Sequence, residues 1–239
     1  MRSKRRRSAF SRFKDKARAL DERLRSPAAP IHNLLAITSH IEKYFGNDFF
    51  VLDEDKSTLV HLDVNVVLPS RGRPFYTLLT SGMSDRKMRV RRGVADSSLA
   101  ELCLCLPKEW PINRHDMKWA TPEFFWPISA LKRVARYPHL HGTWLSQGHT
   151  IGSIEHPNRL DPEGRFVGLL LLEPLTFPRG ADRVPTEDGE EIRYLAAVPL
   201  LQPELTFKLK FGTDALEKQL TASNVTELLD AHRHSVIPG

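Results

Sequence analysis

Seven consecutive residues, Phe166-Val167-Gly168-Leu169-Leu170-Leu171-Leu172, carry no polar side chain and stand between turn-forming segments. A run of that length suits a strand, in which successive side chains point to opposite faces. Both faces of this strand are apolar, so both need cover. Such a strand belongs inside a sheet with other elements packed on each side. The run is also well short of the ~18 apolar residues of a membrane span.

The rest of the pattern supplies the partners for that strand. Leu34, Ile37, Ile41 and Phe45 share one helical face, and Gly46 is a natural stop. Phe49 to Leu52 reads as a short strand. Leu59 to Leu68 alternates, with Leu62, Val64, Val66 and Leu68 on one side. Pro69 to Pro74 is a turn cluster and Phe75 to Thr80 returns, which predicts a hairpin. Leu99 to Leu106 is a further apolar run ended by Pro107. Pro127 suits the first turn of a helix carrying Ile128, Leu131, Val134 and Ala135, with Pro138 predicted to stop it. Asp188-Gly189 marks a turn before a strand over Ile192 to Leu200. Pro203 opens a helical segment interrupted near Gly212, and Asp214 is a candidate cap for Ala215 to Leu220. Helix, strands, helix, strands, helices: this order predicts an α/β domain of the α+β type, a central mixed sheet flanked by helices.

A chain of 239 residues has room for one large domain with its own core. Its formal charge of +6 is unevenly placed. Residues 1–30 hold 11 Lys/Arg against 3 acids, and the remainder holds 24 against 26. We therefore divide the chain into a basic N-terminal arm, 1–30, and a body, 31–239, that charge does not mark as a nucleic-acid-binding domain. Phe10, Phe13, Ala17, Leu20 and Leu24 form a helical stripe on the arm before Ser26-Pro27-Ala28-Ala29-Pro30 breaks it. Such a stripe on a basic helix suits an anionic surface, nucleic acid or a partner. The plainer expectation is a solvated extension. No apolar segment follows the basic start, so a secretory signal is not expected. The two cysteines, Cys103 and Cys105, point to one face of a strand without closing a loop, which fits a reducing compartment. A cytoplasmic protein is expected.

Candidate chemistry is sparse. His61, Asp63 and Asn65 alternate along one strand face, and a His two residues from an Asp suits acid–base work or a shared metal. A strand with one face toward water or a covering helix produces the same pattern. His139, His141 and His149 cluster in sequence, with His156 beyond, but lack the paired short spacings of a structural zinc site. Thr80-Ser81-Gly82-Met83-Ser84 leaves a strand without the Gly-x-Ser-x-Gly order of a nucleophile elbow. Phosphate-loop, paired-zinc and EF-hand patterns are missing. Neither catalytic residues, nor a metal, nor a cofactor is expected. Trp110, Trp119 and Trp126 read first as core residues.

Several of these segments taken together resemble the Suppressor of Fused domain. They are Ile41-Glu42-Lys43-Tyr44-Phe45-Gly46, Leu62-Asp63-Val64-Asn65-Val66-Val67, and Arg73-Pro74-Phe75-Tyr76-Thr77-Leu78-Leu79-Thr80-Ser81-Gly82-Met83-Ser84. Ala100-Glu101-Leu102 through Leu106-Pro107 follows, then Trp110-Pro111, Phe125-Trp126-Pro127, Ala135-Arg136-Tyr137-Pro138, and Trp144 with Gly148-His149-Thr150-Ile151. Leu169-Leu170-Leu171 with Pro174-Leu175, Ile192 to Pro199, Glu204-Leu205 and Phe207-Lys208-Leu209 complete the series, which spans roughly residues 31 to 230.

The resemblance implies a mixed α/β domain that binds protein and has no known catalytic residues. Animal members sequester zinc-finger transcription factors by gripping an extended peptide at a sheet edge. Free-standing bacterial members of this length are associated with immunity to toxins delivered between competing cells. This chain reads as a lone domain, and has Gly148 beside His149 where the animal form carries an acid. Both departures favour the immunity role, a polymorphic-toxin antagonist working by direct binding. A regulator that sequesters a peptide by strand addition is the alternative, and an enzyme or metal protein using His61/Asp63 or His139/His141/His149 ranks third. The family's shared surface is expected at Asp63, Ser81, Gly82, Met83, Ser84, Tyr137, Trp144 and His149. The expected partner is a toxin domain or extended peptide, bound by a monomer or weak dimer.

Overall fold

The computed structural model describes residues 31–53, 60–93, 98–152 and 159–238. The basic arm with its apolar stripe, Leu59 and His156 lie outside these residues. The amphipathic pattern at 34–45 forms helix α1, Ile31–Phe45. Gly46 ends it at φ 89°, its N–H returning to the Glu42 carbonyl. Three strands follow as an antiparallel meander: β1 (Phe49–Leu52), β2 (Asp63–Val67) and β3 (Phe75–Ser81). A short 3-10 turn, Met83–Asp85, leads toward β4 (Ala100–Pro107), which pairs with β3.

Helix α2 (Pro122–His141) is longer than its predicted range at both ends. Thr121 is the N-cap and Pro122 the first-turn proline, so the true start lies one Thr-Pro pair upstream of Pro127. Pro138 does not stop the helix either. Gly142, at φ 59°, does, with its N–H on the Pro138 carbonyl. Then come β5 (Thr150–Gly152), β6 (Phe166–Leu172), β7 (Arg183–Pro185), β8 (Glu191–Leu201), and helices α3 (Gln202–Phe211) and α4 (Thr213–Ala222). The break at Gly212 falls where the sequence predicted it, but Gly212 itself, not Asp214, is the N-cap of α4.

All eight strands form one mixed sheet in the order β1-β2-β3-β4-β8-β6-β5, with β7 also on β8. Only the β4–β8 pairing is parallel among the strand pairs described. Every residue of β6 is buried, as its two-sided apolar run demands. One face packs Val64, Val66, Leu102, Leu104, Leu195 and Leu169 against Ile128, Leu131, Val134 and Ala135 of α2. Across the sheet, Ile37 and Ile41 of α1 cover Val67, Leu79, Cys103 and Tyr194. Leu216 and Leu220 of α4 complete that layer over Leu170, Leu172, Val198 and Leu200. At roughly 25 cal/mol per Å² of apolar surface removed from water, these faces supply the main stabilising term. The result is a single α/β domain, helices on both faces of the sheet, as the sequence predicted.

The C-terminal segment is tied back onto this frame. The Cys105 N–H donates to the Glu227 carbonyl at 2.9 Å, and the Leu229 N–H donates to the Cys105 carbonyl at 2.8 Å. Glu227 also accepts from the N–H and hydroxyl of Thr176. Arg233 reaches the fully buried Glu204 through two guanidinium nitrogens, one at 2.7 Å, and Glu204 accepts the Leu201 and Val236 N–H groups as well.

Candidate protein-binding surface

Asn65 and Asp63 lie on the β2 face that α1 covers, and both are buried. Burial forces each to find a partner. Asn65 donates its side-chain amide to the Leu79 carbonyl and to the Ser81 hydroxyl, at 3.2 and 3.1 Å. Asp63 meets His61 with Nε2 to Oδ1 at 2.9 Å. The predicted His–Asp pair therefore forms, with the imidazole partly exposed and the carboxylate almost covered.

The Ser81–Ser84 turn is held from below by one carboxyl group. Glu101 is wholly buried in β4. Its Oε1 accepts from the Gly82 N–H (2.8 Å), the Ser84 N–H (3.0 Å) and the Ser84 hydroxyl (2.7 Å), while Oε2 accepts from the Thr80 hydroxyl (2.6 Å). Burial pushes the Glu101 carboxyl above the usual carboxylate range, and the four donors offset only part of that. Gly82 sits at φ 117°, a backbone angle glycine adopts without a Cβ penalty. From the sides, Asn33 donates to the Ser84 carbonyl and His139 Nε2 lies 2.8 Å from the Met83 carbonyl. A carbonyl only accepts, so His139 carries its proton on Nε2. Burial lowers the His139 pKa, which keeps the ring neutral. Ser81, Gly82, Met83 and Ser84 are all buried in this clamp.

The remaining three expected site residues reach the surface in part. Tyr137, near the end of α2, packs against the main core and stands with its ring 4.4 Å from that of His141. Trp144 follows the Gly142 stop, its ring edge-on to His149 at 5.5 Å and beneath the Arg91 guanidinium at 5.5 Å. The indole N–H of Trp144 is shielded and has no hydrogen-bond partner among the described residues. His149 is fixed through its backbone: its N–H reaches the Ser146 carbonyl and its carbonyl accepts from Leu171. Gly148, at φ 81°, lies against Thr213, whose hydroxyl would be 3.2 Å from a Cβ there. Thus the eight residues divide into a buried group, Asp63 with the 81–84 turn, and an aromatic group at the α2–β5 junction.

His139 is committed to Met83 and His149 packs on Trp144, so the histidines near the end of α2 serve different contacts. Among the described residues no three His, Cys, Asp or Glu side chains converge as a metal site. Trp119 and Trp126 are core, as expected, and Trp110 is partly buried against the same core, its ring edge-on to Phe124. Two further features carry sequence signals of their own. Glu101 is an acid inside an apolar run, between Ala100 and Leu102, which is a sign of a buried polar partner. Arg86-Lys87-Met88-Arg89-Val90-Arg91-Arg92 holds five cations in seven residues, a local excess that the near-neutral charge of the whole body masks.

Helices over both faces of a mixed sheet, with a buried carboxyl bracing a glycine turn, define an α/β scaffold domain. Residues 58–234, well over half of the chain, match the family of the Suppressor of fused protein (SUFU), and the chain belongs to that family. No curated protein matches it. Among solved structures it is similar to a SUFU homologue from Neisseria gonorrhoeae FA 1090 at 18% identity and a TM-score of 0.61, over 87% of this chain and 98% of that one. It is similar also to a chain of the Sufu–Fu complex, at 17% identity and a TM-score of 0.60, covering 88% and 93%. Drosophila Suppressor of Fused gives 18% and 0.58, covering 87% of this chain but 52% of that one. At these identities the likeness speaks to fold. No helix among the described residues is long and apolar enough to cross a membrane.

Proposed function

We propose that this chain is a protein-binding module that neutralises a cognate toxin by direct contact, as an immunity protein. The observation that carries the reading is the aromatic junction of Tyr137, Trp144 and His149, all partly exposed: Tyr137 is part of α2, the His149 backbone is tied to β6, and Trp144 packs edge-on against His149. Rigid aromatics of this kind contribute large contact area at small entropic cost, which is how interface anchors work. The buried residues Asp63, Ser81, Gly82, Met83 and Ser84 act in this reading as the support that sets the surface. The family match supports a protein-binding domain, and the Sufu–Fu complex is a precedent for a protein partner.

The test is coexpression of the full chain with each toxin domain encoded beside it. A stable complex and rescue of growth are expected for one of them, both lost in Y137A/W144A. Failure to bind or protect against every neighbouring toxin domain would end this reading. A peptide-sequestering regulator is the second reading, favoured by the ends of the sheet: β1 and β5 each pair with a single described neighbour. In that case extended peptides would compete for binding by strand addition.

A further inference from the structure

The segment Arg86–Arg92 is the densest run of positive charge in the described body. Arg86, Lys87, Arg89, Arg91 and Arg92 are all exposed, whereas Met88 between them is buried in the main core. The segment is also held in place. The Met88 N–H donates to the Ser98 carbonyl at 2.8 Å, and the Arg89 N–H donates to the Thr143 carbonyl at 3.1 Å. The Leu145 N–H points at the Met88 sulfur, 3.3 Å away. These bonds lay the strip alongside the α2–β5 junction. There the Arg89 guanidinium lies against Gly142, and Arg91 stands over Trp144.

The charges are unequally engaged. Lys87 is paired with Glu190 at 2.6 Å, at the end where Glu187 and Asp188 also line a cavity beside it. Among the described residues no carboxylate forms an ion pair with Arg86, Arg89, Arg91 or Arg92. Like charges packed along so short a strip repel one another, and an opposite charge brought to them relieves that repulsion. Arginine is suited to such a role because its planar fork binds carboxylates through paired hydrogen bonds.

We propose that Arg86–Arg92 is a docking strip for an acidic segment of the protein partner, with Trp144 receiving an apolar side chain among the acids. The inference rests on the protein-binding reading above and deepens it by assigning the partner's chemistry. Two observations favour protein over nucleic acid. Outside residues 1–30 the chain carries more acids than cations, and Glu187, Asp188 and Glu190 stand beside Lys87 at one end of the strip, against a run of phosphates. The strip also borders a half-buried Trp fixed from below, which matches the mixture of Arg and Trp found at protein interface centres.

The test uses the full-length chain and fluorescence anisotropy. The probe is a labelled dodecapeptide of six glutamates, one phenylalanine and glycines, with a lysine analogue and a single-stranded oligonucleotide as controls. The glutamate peptide should bind, and weaken as salt rises. Its affinity should fall at least tenfold in R86Q/R89Q/R91Q/R92Q, by a smaller factor in R91Q/R92Q, and less than threefold in the arm variant K4Q/R5Q/R6Q/R7Q. The double variant alters no residue whose backbone is anchored, so it remains informative if the quadruple variant folds poorly. Unchanged affinity in both strip variants, an equal loss in the arm variant, or tighter strip-dependent binding of the oligonucleotide would each overturn the proposal. A neighbouring toxin captured equally by wild type and strip variants would refute the strip while leaving the protein-binding reading intact. Strip-dependent peptide binding without capture of any toxin would keep the strip and end the immunity reading.

Discussion

Removing the Glu101 side chain is the most direct probe of the brace beneath the 81–84 turn. Glu101→Ala leaves four donors without an acceptor: the Gly82 and Ser84 N–H groups and the Thr80 and Ser84 hydroxyls. The hydroxyls can turn toward other acceptors, and Thr80 already lies near the Leu102 carbonyl. The two backbone N–H groups cannot. Each buried donor left unsatisfied costs about 1–3 kcal/mol, so with the cavity the loss comes to about 3–5 kcal/mol. That is a large share of the ~5–15 kcal/mol typical of a folded domain. Glu101→Gln keeps an acceptor oxygen for the turn and should cost only about 1 kcal/mol. Urea unfolding followed by circular dichroism measures both, with the midpoint for alanine falling by about 2 M at an ordinary slope and m unchanged. Protonation adds a second readout. The folded carboxyl titrates above its unfolded value, so the proton favours the fold. This contribution is complete below about pH 4.3 and is lost as pH rises through the folded pKa. Wild type should therefore lose stability relative to Glu101→Gln across that rise. An alanine cost under about 1 kcal/mol, or a wild-type-to-glutamine gap that ignores pH, would refute this account.

Two further expectations follow from other buried groups. Arg233→Ala strands Glu204 without its counter-charge, an uncompensated burial worth about 3–5 kcal/mol. The double variant E204L/R233L should cost less than the single change, and a single-variant loss below about 1 kcal/mol by urea unfolding would contradict the ion-pair role. Burial pushes Cys105 up to about 12 and Cys103 well above its usual value, so neither is a thiolate near neutrality. Ellman's reagent at pH 8 should find no reactive thiol in the native protein and two in urea, and rapid native labelling would refute the burial.

Much of the architecture can be read from the residues because burial and period coincide there. The helix face of Leu34, Ile37, Ile41 and Phe45, the two-sided strand Phe166–Leu172 and the hairpin around Pro69–Pro74 each satisfy one local rule. Strands β5 and β7, three residues each, are too short to show any period. Helix α2 misleads because proline is usually a boundary, yet Pro127 and Pro138 both lie within it. The His61–Asp63 contact was legible because residues two apart on a strand share a face. Glu101 was not, since its four donors come from Thr80, Gly82 and Ser84 on another strand and turn. No local pattern shows that a distant turn will close over an acid. The same holds for the basic strip: its composition is visible in the chain, but its place beside Trp144 comes only from the fold.

The hydrogen bonds that pin Cys105 between Glu227 and Leu229 set an order of events during synthesis. Strand β4 acquires its final neighbours only when β8 and then residues 227–229, more than a hundred positions further along, emerge. Until then the nascent sheet carries open backbone groups that invite wrong pairings. The sheet is thus completed late, and Arg233 must stay free to swing back onto Glu204.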